Sequence, residues 1–162
     1  PRFCNFHGYD KAMDHNEILS KYHSSALTFI EEGRKISTEA VNASKDGEWS
    51  AAFVIHHIAD AEIQFGVRYS NALCEDNPAI VPFDEEKFPI GLQYDKRSVT
   101  NSLNALAATH ELNYEILKNA SAADWDRIST HPQRGAVTLL QVVTLGANHI
   151  ESHIDQLKKA AI

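Results

Sequence analysis

The sequence has few cysteines and no long apolar run. Its 162 residues include only two cysteines, Cys4 and Cys74, which is too few for a framework of disulfide bridges and suits a reducing cytoplasm. No apolar stretch approaches the roughly 20 residues that a membrane-spanning helix requires. The chain also lacks a charged start followed by an apolar segment, which argues against a secretory signal. We therefore expect a soluble, cytoplasmic protein.

An excess of positive charge is also missing. The formal net charge is −7, and the basic residues form no cluster. The electrostatic attraction to phosphates that drives non-specific nucleic-acid binding is therefore absent. We expect neither nucleic acid nor a membrane among the partners.

The composition is otherwise that of an ordinary globular protein, with 43% hydrophobic and 23% charged residues. A chain of this length fits one domain and buries roughly two thirds of the surface of its unfolded form. Residues 1–13 contain Gly8 and no sustained periodicity, so we interpret them as an N-terminal arm. The domain itself is predicted over residues 14–162.

Four segments of this domain place apolar residues at three- and four-residue steps, which is the spacing of one face of an α-helix. Capping boxes that begin at Asp14 and Thr138 mark the starts of the first and last segments. Gly33 is a candidate interruption of the first helix, which we extend to about residue 41. The predicted helices cover residues 15–41, 50–77, 95–120 and 138–160.

The segments between the helices predict the topology. Three prolines and Gly91 between residues 78 and 94 exclude a continuous helix or a central strand there and imply a long crossover. Residues 121–128 are predicted to form a short turn of helix, and residues 131–135 a loop. No segment shows a convincing alternating strand pattern. We therefore predict an all-α fold, a four-helix bundle with a long crossover between helices two and three.

Nine histidines are the one unusual feature of the composition. His149 and His153 are four residues apart, so on a helix they lie one turn apart on the same face and could bind one metal ion. Their stripe also carries apolar residues and should face the interior of the bundle. The spacing alone is equally consistent with two hydrogen-bonded core or surface histidines.

The second helix offers a third ligand. His57 shares a face with Phe53 and Phe65 and is predicted to point inward, whereas His56 is rotated by about 100° and is interpreted as a packing or surface residue. Asp60 and Glu62 are interpreted as solvated helix positions. An alternative for Asp60, one turn from His57, is that it orients a ligand imidazole.

Farther along the same helix, Arg68 lies two to three turns beyond His57. We interpret it as an ordinary surface arginine, with contact to an anionic substrate as the alternative.

Several short motifs follow one another along residues 14–160. A Trp-Ser pair precedes a helix with an HxxDxE-like run, and a helix capped by Thr-Leu some ninety residues later ends in HxxxHxxQL. This combination resembles the DinB-like (damage-inducible) metal-binding family. The segment from Pro82 to Phe88 also looks like the family's crossover, with Phe88 where a tryptophan is frequent. The residues that carry the resemblance are Trp49-Ser50, His57 to Glu62, His131-Pro132, Thr138-Leu139, His149, His153 and Gln156-Leu157.

The resemblance implies a four-helix bundle with a three-histidine site for one divalent metal, most often zinc or nickel. The matching residues are His57, His149 and His153. Three protein ligands leave a tetrahedral metal one open position. Water or a thiol bound there has a lowered pKa, so it loses a proton near neutral pH and becomes a nucleophile. Because imidazole suits zinc, nickel, copper and iron(II), the residues alone do not choose the metal.

Members of the family include metal-dependent hydrolases and thiol S-transferases, so the resemblance supports an enzyme of either kind. The expected partners are a small-molecule substrate, with a low-molecular-weight thiol as one candidate, and a second copy of the chain in a homodimer, because members of the family often pair through helices. Asp60 is the nearest acid by helix geometry and is our weak candidate for a catalytic base. Glu151 stands at HxExH spacing rather than HExxH, which disfavours the zinc-protease mechanism.

Two other hypotheses remain open. The protein could be a non-catalytic stress protein that binds metal or a metabolite as a homodimer. Alternatively, the histidines could be structural and the domain could act through its surface.

Overall fold

Four long helices dominate the computed structural model, which describes residues 14–44 and 47–161. The predicted N-terminal arm at residues 1–13 lies outside this range. Two short helices, α2 (Thr38–Val41) and α4 (Lys87–Gly91), stand between the long ones. The long helices are α1 (His15–Lys35), α3 (Ala51–Cys74), α5 (Val99–Lys118) and α6 (Leu139–Ala160).

Side-chain caps fix where the long helices begin. Both predicted capping boxes are present, with Asp14 capping α1 and Thr138 capping α6. Ser50 and Ser98 cap α3 and α5 by accepting a hydrogen bond from a backbone N–H of the first turn. Each cap satisfies an N–H group that has no partner within the helix, so these polar residues set the helix starts.

The long helices form the predicted bundle. α1 packs against α5 and α6, and α3 packs against the same two helices, so α1 and α3 lie on opposite corners. The core between them is built of aliphatic and aromatic side chains from all four helices. Within the described part of the chain, no helix is both long and apolar enough to span a membrane.

The crossover between α3 and α5 is also as predicted, although its ends differ. α3 ends at Cys74 rather than near residue 77, because Glu75 already has extended backbone angles. A separate 3₁₀ turn covers Tyr94–Lys96, and α5 begins only after its cap Ser98, not at residue 95. The crossover thus spans 75–98 and runs back along the side of the bundle.

The bundle also carries a small two-stranded sheet that no alternating pattern in the sequence indicates. β1 (Ile128–His131) and β2 (Gly135–Thr138) form an antiparallel hairpin, with Ile128 opposite Thr138 and His131 opposite Gly135. Four-residue strands are too short to show an alternating pattern. The hairpin also holds the crossover, because the N–H of Ile80 donates to the carbonyl of Thr130 at 2.9 Å.

The other short element between α5 and α6 is as predicted. Residues Asp124–Asp126 form a turn of 3₁₀ helix in which Trp125 is buried.

Candidate metal centre

The bundle brings together the three histidines proposed from the sequence. His57 lies on α3, and His149 and His153 lie one turn apart on α6. One ring nitrogen of each lies within 4.8 Å of the other two. Nε2 of His57 is 3.0 Å from Nε2 of His149. Helices that are far apart in the sequence thus turn their imidazoles toward one point in the bundle.

All three rings are neutral at pH 7. Burial lowers the pKa of His57 to about 3, and the nearby His153 adds to the effect. Burial also holds the pKa of His149 well below its usual value, with smaller contributions from His153, His57 and Arg68. The pKa of His153 is lowered by burial, against a smaller opposing effect of its hydrogen bond to Gln156. A neutral imidazole keeps one lone pair, which is the form that binds a metal.

The outer ring nitrogens differ in their partners. Nδ1 of His153 donates to Oε1 of Gln156 at 2.6 Å, which leaves the lone pair of His153 on Nε2. Nδ1 of His57 and Nδ1 of His149 are buried and have no hydrogen-bond partner within residues 14–44 and 47–161. The alternative that Asp60 orients the ring of His57 is therefore wrong.

The donor set fits a transition metal. Metal–nitrogen distances of about 2.0–2.1 Å in a tetrahedral site place two ligand nitrogens about 3.3 Å apart, close to the observed 3.0 Å between the Nε2 atoms of His57 and His149. Among the described residues, no cysteine or carboxylate joins this group. Three neutral nitrogens without a fourth protein ligand are typical of a site with an open position, since structural zinc sites are generally closed by four.

Aromatic rings border the histidines. The Trp49 ring centroid is 5.2 Å from that of His57, and the Phe83 centroid is 6.1 Å from it. On the other side, the Phe65 centroid is 6.1 Å from that of His149. Trp49 and Phe83 are half-buried, so they stand between the histidines and the surface. Their apolar faces keep water away from the ring nitrogens and thereby hold the imidazoles in the neutral form.

Asp60 belongs to a different polar network. Its Oδ2 accepts hydrogen bonds from the hydroxyl of Tyr94 and from Nη1 of Arg97, both at 2.7 Å. Nη2 of Arg97 donates to Oγ of Ser102, which lies 2.8 Å from Nδ1 of His56. This network ties α3 to the crossover and to α5. Asp60 is 7% exposed, so its interpretation as a solvated position is wrong, whereas the packing role expected of His56 is confirmed.

Glu62 is a second buried acid that the sequence interpretation placed wrongly in solvent. It is 1% exposed, and its Oε1 accepts hydrogen bonds from the hydroxyl of Tyr22, from Nδ2 of Asn113 at 2.9 Å and from Nδ1 of His110 at 3.3 Å. Nε2 of His110 in turn lies 3.2 Å from Nδ1 of His23. Burial raises the pKa of Tyr22 far above its usual value, so its hydroxyl remains a donor. The cluster links α1, α3 and α5.

A signal for these buried acids was present in the sequence. α3 carries apolar residues on almost every face between Phe53 and Phe65, and a helix that is apolar all round is buried. Most positions of such a helix face the interior, so a charged residue within it is expected to be buried. The positions of Asp60 and Glu62 therefore called for partners, although the sequence could not name them.

Comparison with known proteins identifies a family. Residues 29–157 match the family model described as the DinB superfamily. A protein of Bacillus cereus named "Putative metal-dependent hydrolase" is 30% identical over an alignment of 147 positions that spans 82% of this chain and 84% of that protein. A protein of Oceanobacillus iheyensis with the same descriptive name is 28% identical over 120 residues, covering 74% of this chain and 69% of the other.

The fold has a close counterpart among solved structures. YfiT from Bacillus subtilis, described as "a probable metal-dependent hydrolase with an unusual four-helix bundle topology", superposes with a TM-score of 0.83 at 19% sequence identity. The match covers 95% of this chain and 91% of YfiT. At this level of identity the likeness shows the fold.

Proposed function

The chain belongs to the DinB superfamily, and we propose that it is a metal-dependent enzyme acting on a small molecule. His57, His149 and His153 would hold one divalent transition metal, with zinc or nickel as the candidates. The observation that carries the proposal is the 3.0 Å approach of the Nε2 atoms of His57 and His149. The relatives named as metal-dependent hydrolases support it.

Two buried nitrogens at this distance, with a third within 4.8 Å, are poorly explained by protein contacts alone. One proton can satisfy the pair formed by His57 and His149, and because Nδ1 of His153 is used by Gln156, the Nε2 lone pair of His153 remains for a metal. A cation among the three lone pairs satisfies all of them at once. When bound, the metal would supply a Lewis acid with one position left for water or a thiol.

The other residues of the centre prepare the histidines. Gln156 holds the proton of His153 on Nδ1 and so fixes which nitrogen faces the site, a role common for groups behind metal-ligating histidines. Trp49 and Phe83 flank the ring of His57 and would line the approach to the metal. Asp60 stays a prediction as a catalytic base, and the structure gives it a separate task in holding Tyr94 and Arg97.

The first test is elemental analysis of the purified protein. We expect about one equivalent of divalent metal per chain, and we expect His149→Ala to remove it. His15→Ala is the matched control, because His15 stacks on Trp125, is not one of the three grouped histidines, and should leave the metal in place. Retention of metal by His149→Ala, or a wild-type protein that takes up none on titration, refutes the proposal.

Activity assays then separate the two kinds of enzyme. Hydrolysis of ester or amide substrates without an added thiol indicates activation of water. Loss of a thiol together with an electrophilic co-substrate indicates a thiol S-transferase. Either activity should disappear in His149→Ala and persist in His15→Ala. A metal-loaded protein that is silent in both assays is the non-catalytic binding protein of the alternative hypothesis.

A further inference from the structure

Arg68 lies on the same face of α3 as His57. The two residues are eleven positions apart, which returns to the same helix face after three turns and separates their Cα atoms by about 16 Å along the axis. Side chains on a helix lean toward its N-terminus, so the guanidinium of Arg68 reaches back toward His57.

Two aromatic rings hold this guanidinium beside the metal centre. Its Cζ atom is 4.9 Å from the centroid of Phe65 and 5.8 Å from that of Phe83. The same two rings border the histidines, Phe65 on the side of His149 and Phe83 on the side of His57. Phe65 therefore lies between Arg68 and His149, and Phe83 lies between Arg68 and His57. The two rings thus stabilise the cation from two sides.

Among the residues that the structure describes, no carboxylate forms an ion pair with Arg68. Nη2 donates to the carbonyl oxygen of Val81 at 3.1 Å, while Nε is buried and has no hydrogen-bond partner within the described chain. Arg97 and Arg127, by contrast, each lie within 4.0 Å of a carboxylate oxygen. A partly buried cation with an unsatisfied N–H is costly unless an anion approaches it.

We propose that Arg68 binds a carboxylate of the small molecule whose reacting group meets the three histidines. The inference rests on the proposed function and narrows its substrate class. The ligand carries a carboxylate separated from its reacting group by several bonds, enough to pass one aromatic ring. The planar guanidinium with an unused Nε–H suits the two oxygens of a carboxylate, which can accept parallel hydrogen bonds from Nε and a terminal nitrogen.

One experiment tests the anion site without metal. Hexanoate is titrated into the metal-free protein while the side-chain Nε–H signal of Arg68 is followed by NMR, with Arg68→Lys used to assign the signal. We expect a saturable downfield shift and slower exchange with water, because the buried N–H gains an acceptor. Hexanamide at the same concentrations should produce neither change. No shift with hexanoate, or an equal shift with both compounds, overturns the inference.

A second experiment measures whether the metal centre prefers a thiol that also carries a carboxylate. The cobalt(II)-loaded protein is titrated with 6-mercaptohexanoate and with 6-mercaptohexanol, and thiolate binding is followed by its charge-transfer absorption. A charge-assisted hydrogen bond predicts that the wild-type protein binds the carboxylate about tenfold more tightly. Arg68→Gln should remove this preference, and Arg68→Lys should retain part of it. The control Arg34→Gln, which removes an equal charge from the exposed side of α1, should leave it unchanged.

The outcomes separate this inference from the proposed function. In one outcome cobalt is bound, both thiols bind equally tightly, and hexanoate does not shift the Arg68 signal. The anion site is then refuted, whereas the metal centre is supported. If the Arg68 signal responds to hexanoate but no metal is retained, the anion site stands and the metal-dependent function is wrong. A preference that survives in Arg68→Gln also refutes the role of Arg68.

Discussion

The neutral histidines of the metal-free protein should make its stability fall as the pH is lowered. Burial places the pKa of His57 at about 3 in the folded protein, whereas a histidine in the unfolded chain titrates near 6.5. Below about pH 6.5 the unfolded state therefore binds a proton that the folded state does not. The free energy of unfolding is fully retained above that pH and is lost as the pH falls from about 6.5 toward 3.

The magnitude follows from the two pKa values of His57. Over the interval from pH 7 to pH 5 the unfolded chain gains about 0.7 of a proton at this residue, and the folded chain gains almost none. The corresponding loss in the free energy of unfolding is about 2 kcal/mol. His149, whose pKa is also held well below its usual value by burial, acts in the same direction.

The assay is urea unfolding of protein treated with a chelator, followed by circular dichroism at pH 7, 6 and 5. His57→Gln removes the titrating ring and should weaken the loss between pH 7 and 5 by about 2 kcal/mol relative to the wild type. The control is Ile150→Val, a nearby buried change that should cost about 1 kcal/mol equally at each pH. An unchanged pH dependence in His57→Gln would show that this ring is not held neutral by burial.

Two further predictions concern α6. Gln156→Leu removes the acceptor of the His153 Nδ1 proton and should weaken metal affinity about tenfold in a competition assay with a chelating dye; an unchanged affinity contradicts the orienting role. Gly146→Ala places a methyl group against the hydroxyl of Tyr69, so overpacking should lower the free energy of unfolding by about 1–3 kcal/mol in urea. A fully stable Gly146→Ala variant would show that Tyr69 can move aside.

Local signals in the sequence determined much of the architecture. The capping boxes at Asp14 and Thr138 set two helix starts, because a cap depends only on residues within one turn. The helical spacing of His149 and His153 placed both on one interior stripe for the same reason. These inferences held because hydrophobic periodicity and capping are properties of a few consecutive residues.

Local patterns also have limits that the hairpin and the helix ends make visible. The strands at 128–131 and 135–138 are four residues each and carry too little alternation to be recognised. The sequence predicts a start of α5 at residue 95, whereas the helix begins at Val99, because the polar run 95–98 has no apolar periodicity that would mark the boundary. Short elements depend on contacts such as the hydrogen bond from Ile80 to the hairpin.

Only the tertiary structure decided which polar residues of α3 are partnered and by what. Glu62 meets Tyr22 and His110, which come from two other helices, and no pattern within α3 specifies either partner. The guanidinium of Arg68 is similarly placed by Phe83 from the crossover. The physical reason is that the face of a helix on which a residue lies determines whether its side chain is buried. The cost of burying a charge is offset by polar groups on other helices and on the crossover, and only the folded chain brings these groups together.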